Sequence, residues 1–549
     1  MRNKFVKKKP SQTLKPKVGS SVSPKLNHQI SALLQQGLSN HNNGNLEQAK
    51  SIYEEILKIN ALHFEALQLL GTIATQTRQW EKALDLYNIA LSINPSSAVV
   101  YCNQGVVFKE LKRFEESLLS FDKAISLDLN YPEAYYNRGL LFKELNQFNE
   151  ALINYESAIN LNPRYAVAHN NKGNVLKLLN RSDEAISSYK KAIEIKPDFT
   201  EVYYNLGILL HELMRLNEAL ESYELVIQSK PNHAEANWNK SMLLLLTGDL
   251  LKGWELYEWR HRIETSEQRL RNFDRPLWMG VEDINGKRVL VHAEQGLGDT
   301  IQFCRYAKLI KDLGAQVILE VPRALSILLT GLAGVDEIIE QGELLPDFDF
   351  HCPLLSLPLV FKTTLESIPK CPEFQISEVK KTHWLNKLGI HEKPRIGIVW
   401  SSVSSFKQDS KRSMKLHEFI QCIPMKEFDV VCLQKDIKTI DKECFDSLGG
   451  RIRFYGAELN DFADTAALAN SVDLIISTCT SVPHLTASLG IPTWLLLSYV
   501  PDFRWLLERE DSPWYPSAKI YRQTSMGDWD SVLQKVRNDL LARFADHHH

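Results

Sequence analysis

The chain has 549 residues, which is enough for two to four domains, and its net charge of −3 argues against a protein that binds nucleic acid in bulk. No stretch approaches the roughly 18 consecutive apolar residues of a membrane-spanning helix, so no membrane span is expected. The eight cysteines lack any Cys-x-x-Cys spacing, which favours buried thiols in a reducing, cytoplasmic compartment.

Both ends of the chain fall outside the predicted domains. The first 25 residues contain eight basic residues and no acidic one, interspersed with serine and proline, which predicts a disordered basic tail over residues 1–28. Residues 547–549 are histidines and resemble the start of a purification tag.

A 34-residue period runs through the first half of the chain. Glycine recurs without slippage at Gly37, Gly71, Gly105, Gly139, Gly173 and Gly207. The same register carries Ala49, Ala83, Ser117, Ala151, Ala185 and Ala219. An aromatic residue follows four positions later, at Tyr53, Tyr87, Phe121, Tyr155, Tyr189 and Tyr223. Four units close with a proline, at Pro95, Pro163, Pro197 and Pro231.

A unit of this length and composition resembles the tetratricopeptide repeat. We expect two antiparallel helices per unit, with the small residues where the helices cross closely and the proline ending the second helix. Six full units and a degenerate seventh (Ser241, Gly253, Tyr257) predict an α-solenoid over residues 29–264.

An asparagine stands two residues before the glycine position in five successive units. These residues are Asn103, Asn137, Asn171, Asn205 and Asn239. On the first helix of each unit they would face the groove of a stacked superhelix, where an amide can pair with both C=O and N–H of an extended peptide. The alternative is that each amide bonds a neighbouring helix. The column predicts a groove that binds a protein or peptide acceptor.

After a linker predicted over residues 265–286, short apolar runs alternate with helical patterns. The predicted strands are Val289–Ala293, Val317–Val321, Ile396–Trp400, Val430–Leu433, Leu474–Ser477 and Trp494–Leu497. The predicted helices are Thr300–Leu313, Arg323–Leu332, Leu416–Ile423, Thr465–Ser471, Val482–Leu489 and about Trp529–Phe544. Such alternation indicates parallel sheets with helices on both faces. Two sets, residues 287–380 and 381–546, with a final crossing helix predict the GT-B fold of two Rossmann-like halves.

Two motifs carry a closer resemblance. The first strand runs into Gly296-Leu-Gly298-Asp299, similar to the first loop of family 9 glycosyltransferases of the heptosyltransferase type. In the second half, the stretch from Asp473 to Pro492, with Thr480 and His484, resembles that family's strand–loop–helix. The resemblance covers roughly residues 285–545. The overall plan, repeats followed by a GT-B region, is similar to that of O-GlcNAc transferase.

The resemblance implies sugar transfer from a nucleotide diphosphate, which needs a base on the acceptor hydroxyl and neutralisation of the leaving diphosphate. Asp299 is the expected base, at the carboxyl end of the first strand where α/β clefts bind ligands; alternatively it caps the following helix. Gly296 and Gly298 are expected beside the donor and Gln302 beside the acceptor.

Phosphate contacts are expected from two loops. Thr480 and Ser481 begin a helix, whose N–H groups and dipole favour an anion, and His484 lies on its first turn. His484 is otherwise an interior histidine. The loop after Ile396–Trp400 offers cations that would replace a metal, unless it is simply a solvated loop. Its expected donor contacts are Lys407, Lys411, Arg412 and Ser413.

Three further features concern the donor. Gln434 and Lys435 end the next strand and are expected near the nucleoside. Cys479 stands where the heptosyltransferases carry an aspartate that holds donor sugar hydroxyls, which implies either a different donor sugar or lost activity. The late aromatic residues are core residues or base-stacking platforms; they are Tyr499, Trp505, Trp514 and Tyr515. Asp347 and Asp349 form an Asp-x-Asp, which is too little for a metal site, so neither metal nor cofactor is expected.

The leading hypothesis is a cytoplasmic, metal-independent glycosyltransferase that moves a sugar to a protein held by the repeats. The family resemblance implies inversion at the anomeric carbon. One alternative is a repeat scaffold with an inactive domain that binds a nucleotide sugar. The other is a transferase acting on a surface glycan or glycolipid, with the repeats serving for assembly, for example into a homo-oligomer.

Overall fold

The computed structural model describes residues 24–263, 270–390, 392–402 and 412–545. The chain divides into two compact units, residues 1–202 and 203–549. Residues 1–23 of the predicted tail, the tag remnant, Lys407 and Lys411 lie outside the described residues. The tail was predicted to reach residue 28, but residues 24–28 are helical, since Pro24 suits the first position of a helix. Within the part that is described, no helix is long and apolar enough to cross a membrane.

The first unit consists of helix pairs. Their bounds are α1 (Pro24–Asn42), α2 (Leu46–Ile59), α3 (Phe64–Gln76), α4 (Trp80–Ile93), α5 (Ala98–Glu110), α6 (Phe114–Leu127), α7 (Pro132–Glu144), α8 (Phe148–Leu161), α9 (Ala166–Leu178) and α10 (Ser182–Ile195). Three of the second helices, α4, α8 and α10, end two residues before a proline, as with Ile93 and Pro95, because the residue before proline avoids the helical region. Helices α2 and α6 end at the same place in the period without a proline.

The glycine and aromatic columns are explained by one contact. A Cβ added at Gly105 would lie 2.7 Å from the ring of Phe121, and the same pairing joins Gly173 to Tyr189 at 2.6 Å. These rings are fully buried between the two helices of their unit. The close crossing predicted from the small-residue column is therefore observed.

The turn inside each unit follows the same period. Arg78, Lys112, Asn146 and Asn180 all have φ between 56° and 60°, in the left-handed region that ends a helix. Gly44 occupies the equivalent place in the first unit with φ 79°.

The second unit begins with four helices of the repeat type and continues as an α/β region. The helices are α11 (Thr200–Glu212), which starts just before the unit division, α12 (Leu216–Ser229), α13 (Ala234–Thr247) and α14 (Leu250–Tyr257), continued by a 3-10 turn at Glu258–Arg262. The strands are β1 (Arg288–His292), β2 (Gln316–Val321), β3 (Glu337–Glu340), β4 (Phe350–Pro353), β5 (Arg395–Val399), β6 (Asp429–Cys432), β7 (Ile452–Phe454), β8 (Leu474–Thr478), β9 (Thr493–Leu497) and β10 (Ala518–Arg522).

Helices connect these strands. They are α15 (Leu297–Phe303), α16 (Ala307–Asp312), α17 (Arg323–Leu329), α18 (Leu357–Val360), α19 (Glu378–Leu388), α20 (Leu416–Phe419), α21 (Thr439–Ser447), α22 (Phe462–Ala469), α23 (Ser481–Ser488) and α24 (Trp529–Arg543). The long helix predicted from Thr300 is interrupted by a 3-10 turn at Cys304–Tyr306.

The strands form two parallel sheets. The first has the order β3-β2-β1-β4, and the second has the order β10-β9-β8-β5-β6-β7. Numbered within its own half, the second sheet reads 3-2-1-4-5-6 from its β7 edge, the doubly wound order of a Rossmann sheet. The predicted fold class, an α-solenoid of repeats followed by an α/β region with two parallel sheets, is confirmed.

Helices α13 and α14 share a hydrophobic core with the first sheet. Leu245, Leu250, Trp254 and Tyr257 belong to the same buried cluster as Val289 of β1 and its neighbours. Trp254 packs edge-on against the ring of Phe303 in α15, at 5.8 Å between centroids. The last repeat helices are therefore part of the packing of the α/β region.

Candidate functional site

The candidate site lies where the carboxyl ends of the strands in the two sheets meet. In a doubly wound sheet, ligands bind at the point where the strand order reverses. In the second sheet this point lies between β5 and β8, and in the first between β1 and β4. The loop from β1 to α15 and the loop from β8 to α23 start at these points, and a Cβ on Gly298 would meet the ring of His484 at 2.8 Å. The structure thus brings together the two motifs found in the sequence.

Asp299 has two partners. The Gly296 N–H donates to its Oδ2 at 2.9 Å, the capping contact considered as an alternative role. Its Oδ1 accepts from Nη2 of Arg504, a residue 205 positions further along the chain. Burial raises the pKa of the Asp299 carboxyl, and the Arg504 guanidinium opposes that rise.

Arg504 also joins a second carboxylate to the cluster. It lies in a 3-10 turn at Phe503–Trp505, and its Nη1 donates to Oδ1 of Asp502 at 2.8 Å. Burial alone would raise the pKa of Asp502, but Arg504 and Arg412 outweigh it and lower that pKa to about 2. Arg504 is only 8% exposed, and its Nε–H has no acceptor within the described residues.

His484 is an interior histidine with a polar contact. Its Nδ1 lies 2.8 Å from the Tyr515 hydroxyl, and its ring packs 5.1 Å from that of Trp505. Burial, together with repulsion from Arg504, lowers the His484 pKa to about 3. The imidazole is therefore neutral at pH 7.

The start of α23 is open to solvent. Thr480 caps the helix by accepting from the Val482 N–H at 3.3 Å, and Thr480, Ser481 and Cys479 are partly exposed. Trp505 Nε1–H donates to the Cys479 sulfur at 3.2 Å, and burial raises the pKa of that thiol. Cys479 is thus a neutral thiol engaged with the arginine-bearing loop.

The predicted cationic loop is described only in part. Arg412 is 44% exposed, and its Nη2 lies 3.9 Å from Oδ2 of Asp502, which places it at the edge of the charged cluster. Ser413 accepts from the Ser402 N–H at 3.2 Å and so closes the loop after β5.

The Gln434 side chain binds the backbone that directly follows β5. Its Oε1 accepts from the N–H groups of Trp400 and Ser401 at 2.7 and 3.0 Å, and its Nε2 donates to the Asp436 carbonyl at 3.2 Å. Its amide is thus engaged with the backbone, and direct contact with a nucleoside stays a prediction. Lys435 next to it is exposed.

Gln302 lies one turn beyond Asp299 and is fully buried. Neither its Oε1 nor its Nε2 has a hydrogen-bond partner among the described residues. A buried amide without partners costs folding free energy, so this position is unusual. Its burial also separates the side chain from solvent. Its role towards the acceptor remains a prediction.

The last repeat helix supports the loop that carries Asp299. Arg260, fully buried, donates from Nη2 to Oε1 of Glu294 at 2.7 Å and from Nη1 to Oε1 of Glu258 at 2.6 Å. The Gln295 Nε2 donates to the Tyr257 hydroxyl at 2.9 Å. Glu294 and Gln295 directly precede Gly296, so the loop is fixed from the repeat side.

The asparagine column bonds within the repeats. The Asn137 Nδ2 donates to the Cys102 sulfur at 3.4 Å, Asn171 to the Tyr136 hydroxyl at 3.1 Å and Asn239 to the Tyr204 hydroxyl at 3.3 Å. Asn103 donates to Thr72 at 3.5 Å, and Asn205 has a partner as well. All five are partly exposed. Asn103, Asn137 and Asn239 thus each donate one described bond within the repeats. The Asn171 amide is more fully engaged, since its Nδ2 also donates to the Val167 carbonyl at 3.0 Å and its Oδ1 accepts from Lys143 at 3.3 Å. The alternative role, bonding within the repeats, is therefore observed.

Metal ligands do not cluster within the described residues: no group of three or more His, Cys, Asp or Glu could hold an ion there. Asp349 accepts from the Arg288 N–H at 2.8 Å and thereby caps the start of β1. A reaction without metal stays an expectation from resemblance.

Arg504 and Asp502 were not predicted as site residues from the sequence. A signal was present, because Asp502-Phe-Arg504-Trp505 follows β9 at the same carboxyl edge as the other loops. Of the late aromatic residues, Trp505, Trp514 and Tyr515 are buried core residues, in line with one of the two readings.

Comparison with known proteins identifies the repeats. Profiles described as tetratricopeptide repeat match residues 34–98, 105–146, 132–165, 154–187, 173–213 and 200–233. Tetratricopeptide repeats are therefore present, and repeats of this kind indicate a scaffold for protein interaction.

Protein FlbA of Caulobacter vibrioides (strain ATCC 19089 / CIP 103742 / CB 15) is 26% identical over 325 residues, covering 54% of this chain and 53% of that protein. The chain thus spans about half the length of this curated relative.

Solved structures resemble the repeat part. YrrB, described as a TPR protein with an unusual peptide-binding site, is 24% identical with a TM-score of 0.29, covering 34% of this chain and 95% of that one. PilW, described as a widely conserved type IV pilus biogenesis factor, is 22% identical with a TM-score of 0.36, covering 38% and 97%. Likenesses this low indicate nothing about function.

Proposed function

We propose that the chain is a glycosyltransferase that moves a sugar from a nucleotide diphosphate to a protein or peptide recruited by its repeats. The observation that supports this most is the meeting of the Gly296–Asp299 loop with the Thr480–His484 loop at the reversal points of two parallel sheets. Such reversal points are where open α/β sheets bind nucleotides.

The chemistry that fits these groups is a single displacement. The acceptor hydroxyl oxygen attacks the anomeric carbon, the bond from that carbon to the phosphate oxygen breaks, and the nucleoside diphosphate leaves with the electron pair. Asp299 takes the hydroxyl proton as general base. Arg412, Arg504 and the N–H groups at the start of α23 neutralise the leaving diphosphate.

A protein acceptor is the proposal favoured by the repeats. Tetratricopeptide helices offer an extended surface for chain binding, and the five asparagine side chains remain partly exposed beside their bonds within the repeats. A glycan or glycolipid acceptor would leave this surface without a role in transfer.

An inactive domain that only binds a nucleotide sugar is the second candidate. Two observations favour it: Asp299 is paired with Arg504, and a thiol stands at Cys479 where heptosyltransferases have an aspartate. Donor turnover separates the two candidates.

The test is turnover of ADP-, GDP- and UDP-sugars by the full chain, with and without protein acceptors. Asp299→Asn is expected to lower the rate by about 100- to 10,000-fold, the usual contribution of a general base, while binding of the nucleoside diphosphate persists. Changing the five column asparagines to alanine should reduce transfer to protein but leave donor hydrolysis unchanged. If no nucleotide sugar is turned over, or if Asp299→Asn keeps full activity, the proposed transferase activity is wrong.

A further inference from the structure

The charged cluster of the candidate site is balanced without a ligand. Asp299 and Asp502 supply two carboxylates, and Arg504 and Arg412 supply two guanidinium groups. Arg504 is the centre, because one Nη holds each carboxylate and the side chain is 92% buried. A diphosphate entering this site would add negative charge next to both arginines.

Arg504 has a donor to spare. Its Nε–H is buried and finds no acceptor within the described residues, although a buried guanidinium normally uses all its donors. Thr478, at the end of β8, likewise has a fully buried Oγ1 without a partner in the described part of the chain. Thr478 is the last residue of β8, two residues before the Thr480 cap of α23, and Arg504 precedes Trp505, whose Nε1–H donates to Cys479 in the same loop. Both groups therefore lie near the start of α23, where an anion is favoured.

Both oxygens of Asp299 already accept a hydrogen bond, Oδ1 from Arg504 and Oδ2 from the Gly296 N–H. Burial raises the pKa of the carboxyl, and the Arg504 guanidinium opposes that rise, so the paired carboxylate is a weaker base than burial alone would make it. The candidate base is therefore restrained in the unliganded protein.

We propose that Arg504 is a gate: it holds Asp299 in the unliganded protein and transfers to the donor diphosphate on binding, which frees Asp299 for the acceptor. This rests on the proposed function. The guanidinium suits the role because its planar fork can exchange a carboxylate for a phosphate with the same geometry. Donor binding would then switch the base on only when there is a leaving group to displace.

The proposed gate can be tested through the affinity for the diphosphate. Asp299 and the diphosphate compete for one guanidinium, so removing the charge of Asp299 must strengthen diphosphate binding. Asp299→Asn is nearly isosteric and keeps a hydrogen-bonding oxygen, so it is suited to the test.

The experiment is calorimetric titration of the full chain with ADP, GDP and UDP, the matching nucleosides and inorganic pyrophosphate. With the preferred diphosphate we expect Asp299→Asn to bind about 3- to 10-fold tighter and Arg504→Lys at least 10-fold weaker, with the nucleoside unchanged in both. Asp511→Asn is the matched control, since Asp511 pairs with Arg509 on the same segment outside the cluster, and it should change nothing.

Each result has one meaning. If the wild-type chain binds a diphosphate but Asp299→Asn binds it no tighter, the gate is wrong while the proposed function stands. If Arg504→Lys keeps full diphosphate affinity and a native thermal transition, Arg504 does not contact the phosphates and the gate is also wrong. If the wild-type chain binds no diphosphate and turns over no nucleotide sugar, the proposed function itself falls.

Discussion

At the scale of single residues, the site is an arrangement of buried charges with assigned partners. Asp502 is held ionised by two arginines, whereas Asp299 is drawn towards protonation by burial and towards ionisation by Arg504. Two carboxylates in one cluster with different environments can take different roles. Asp502 is suited to fixing Arg504, and Asp299 to exchanging a proton.

His484 makes the free energy of unfolding depend on pH. Its pKa is about 3 in the folded protein, whereas an unfolded histidine titrates near 6.5. Below about pH 6.5 the unfolded chain therefore takes up a proton that the folded chain refuses, and the free energy of unfolding falls as the pH drops towards 3. His484→Gln removes this contribution, so its stability should fall less steeply, by up to about 1.4 kcal/mol per pH unit.

Urea unfolding at pH 7, 6 and 5 measures that slope. The surrounding groups are Tyr515, which is uncharged in this range, Arg504, which stays charged, and Asp502, which titrates below it. His417→Gln, at an exposed histidine, serves as control and should run parallel to the wild type. Equal slopes for His484→Gln and wild type would contradict the prediction.

At the scale of elements, the repeat is built on the contact between a glycine and an aromatic ring. Gly105→Ala should destabilise the repeats by about 1 to 3 kcal/mol, because its methyl group would overlap the ring of Phe121 in a filled interface. In a Phe121→Leu background the same change should cost less, since the obstacle is smaller and alanine favours the helix by about 1 kcal/mol over glycine.

A double-mutant cycle in urea unfolding checks this coupling. The four proteins are wild type, the two single variants and the double variant. Independent, additive effects of Gly105→Ala and Phe121→Leu would show that the ring does not set the glycine column.

The strands that could be predicted from the sequence are the interior ones. All six predicted runs match β1, β2, β5, β6, β8 and β9, which have neighbours on both sides and read as continuous apolar stretches. The four that were missed, β3, β4, β7 and β10, are all sheet edges and carry charged or mixed residues, such as Glu337 and Glu340 in β3. Edge strands need not be apolar on both faces, so their pattern is weak.

The site was predictable to a similar degree. Gly298, Asp299 and His484 stand in local motifs after interior strands, and the structure brings them together. The partner of Asp299 could not be read from a local pattern, since Arg504 is 205 residues away and only the packing of the two sheets unites them. Gln434 was expected near the nucleoside because it follows a strand, but its amide oxygen accepts from the Trp400 N–H directly after the neighbouring strand β5.

At the scale of the whole molecule, the last repeat helices belong with the α/β region. Residues 197–545 should therefore fold without the preceding repeats, while residues 264–545 should not, because loss of Trp254, Tyr257 and their neighbours opens the core around β1. The shorter fragment is expected to lose its near-ultraviolet circular dichroism and to bind a hydrophobic dye, as loosely packed states do.

Thermal unfolding of the two fragments tests this prediction. The longer fragment should show one cooperative transition and the shorter one a broad change or aggregation. A cooperative transition in residues 264–545 would show that α13 and α14 are dispensable.

The buried Arg260–Glu294 pair has a consequence for how such chains diversify. The compact unit that contains the α/β region begins at residue 203. We therefore expect that repeats before α11 can be added, removed or exchanged without disturbing that unit. The terminal pair α13–α14 together with the 3-10 turn that continues it cannot be exchanged in this way, since replacing that segment would leave Glu294 as a buried carboxylate without the Arg260 guanidinium. Under the proposed function, acceptor choice would change through the early repeats, while the last repeat is kept together with the loop that carries Asp299.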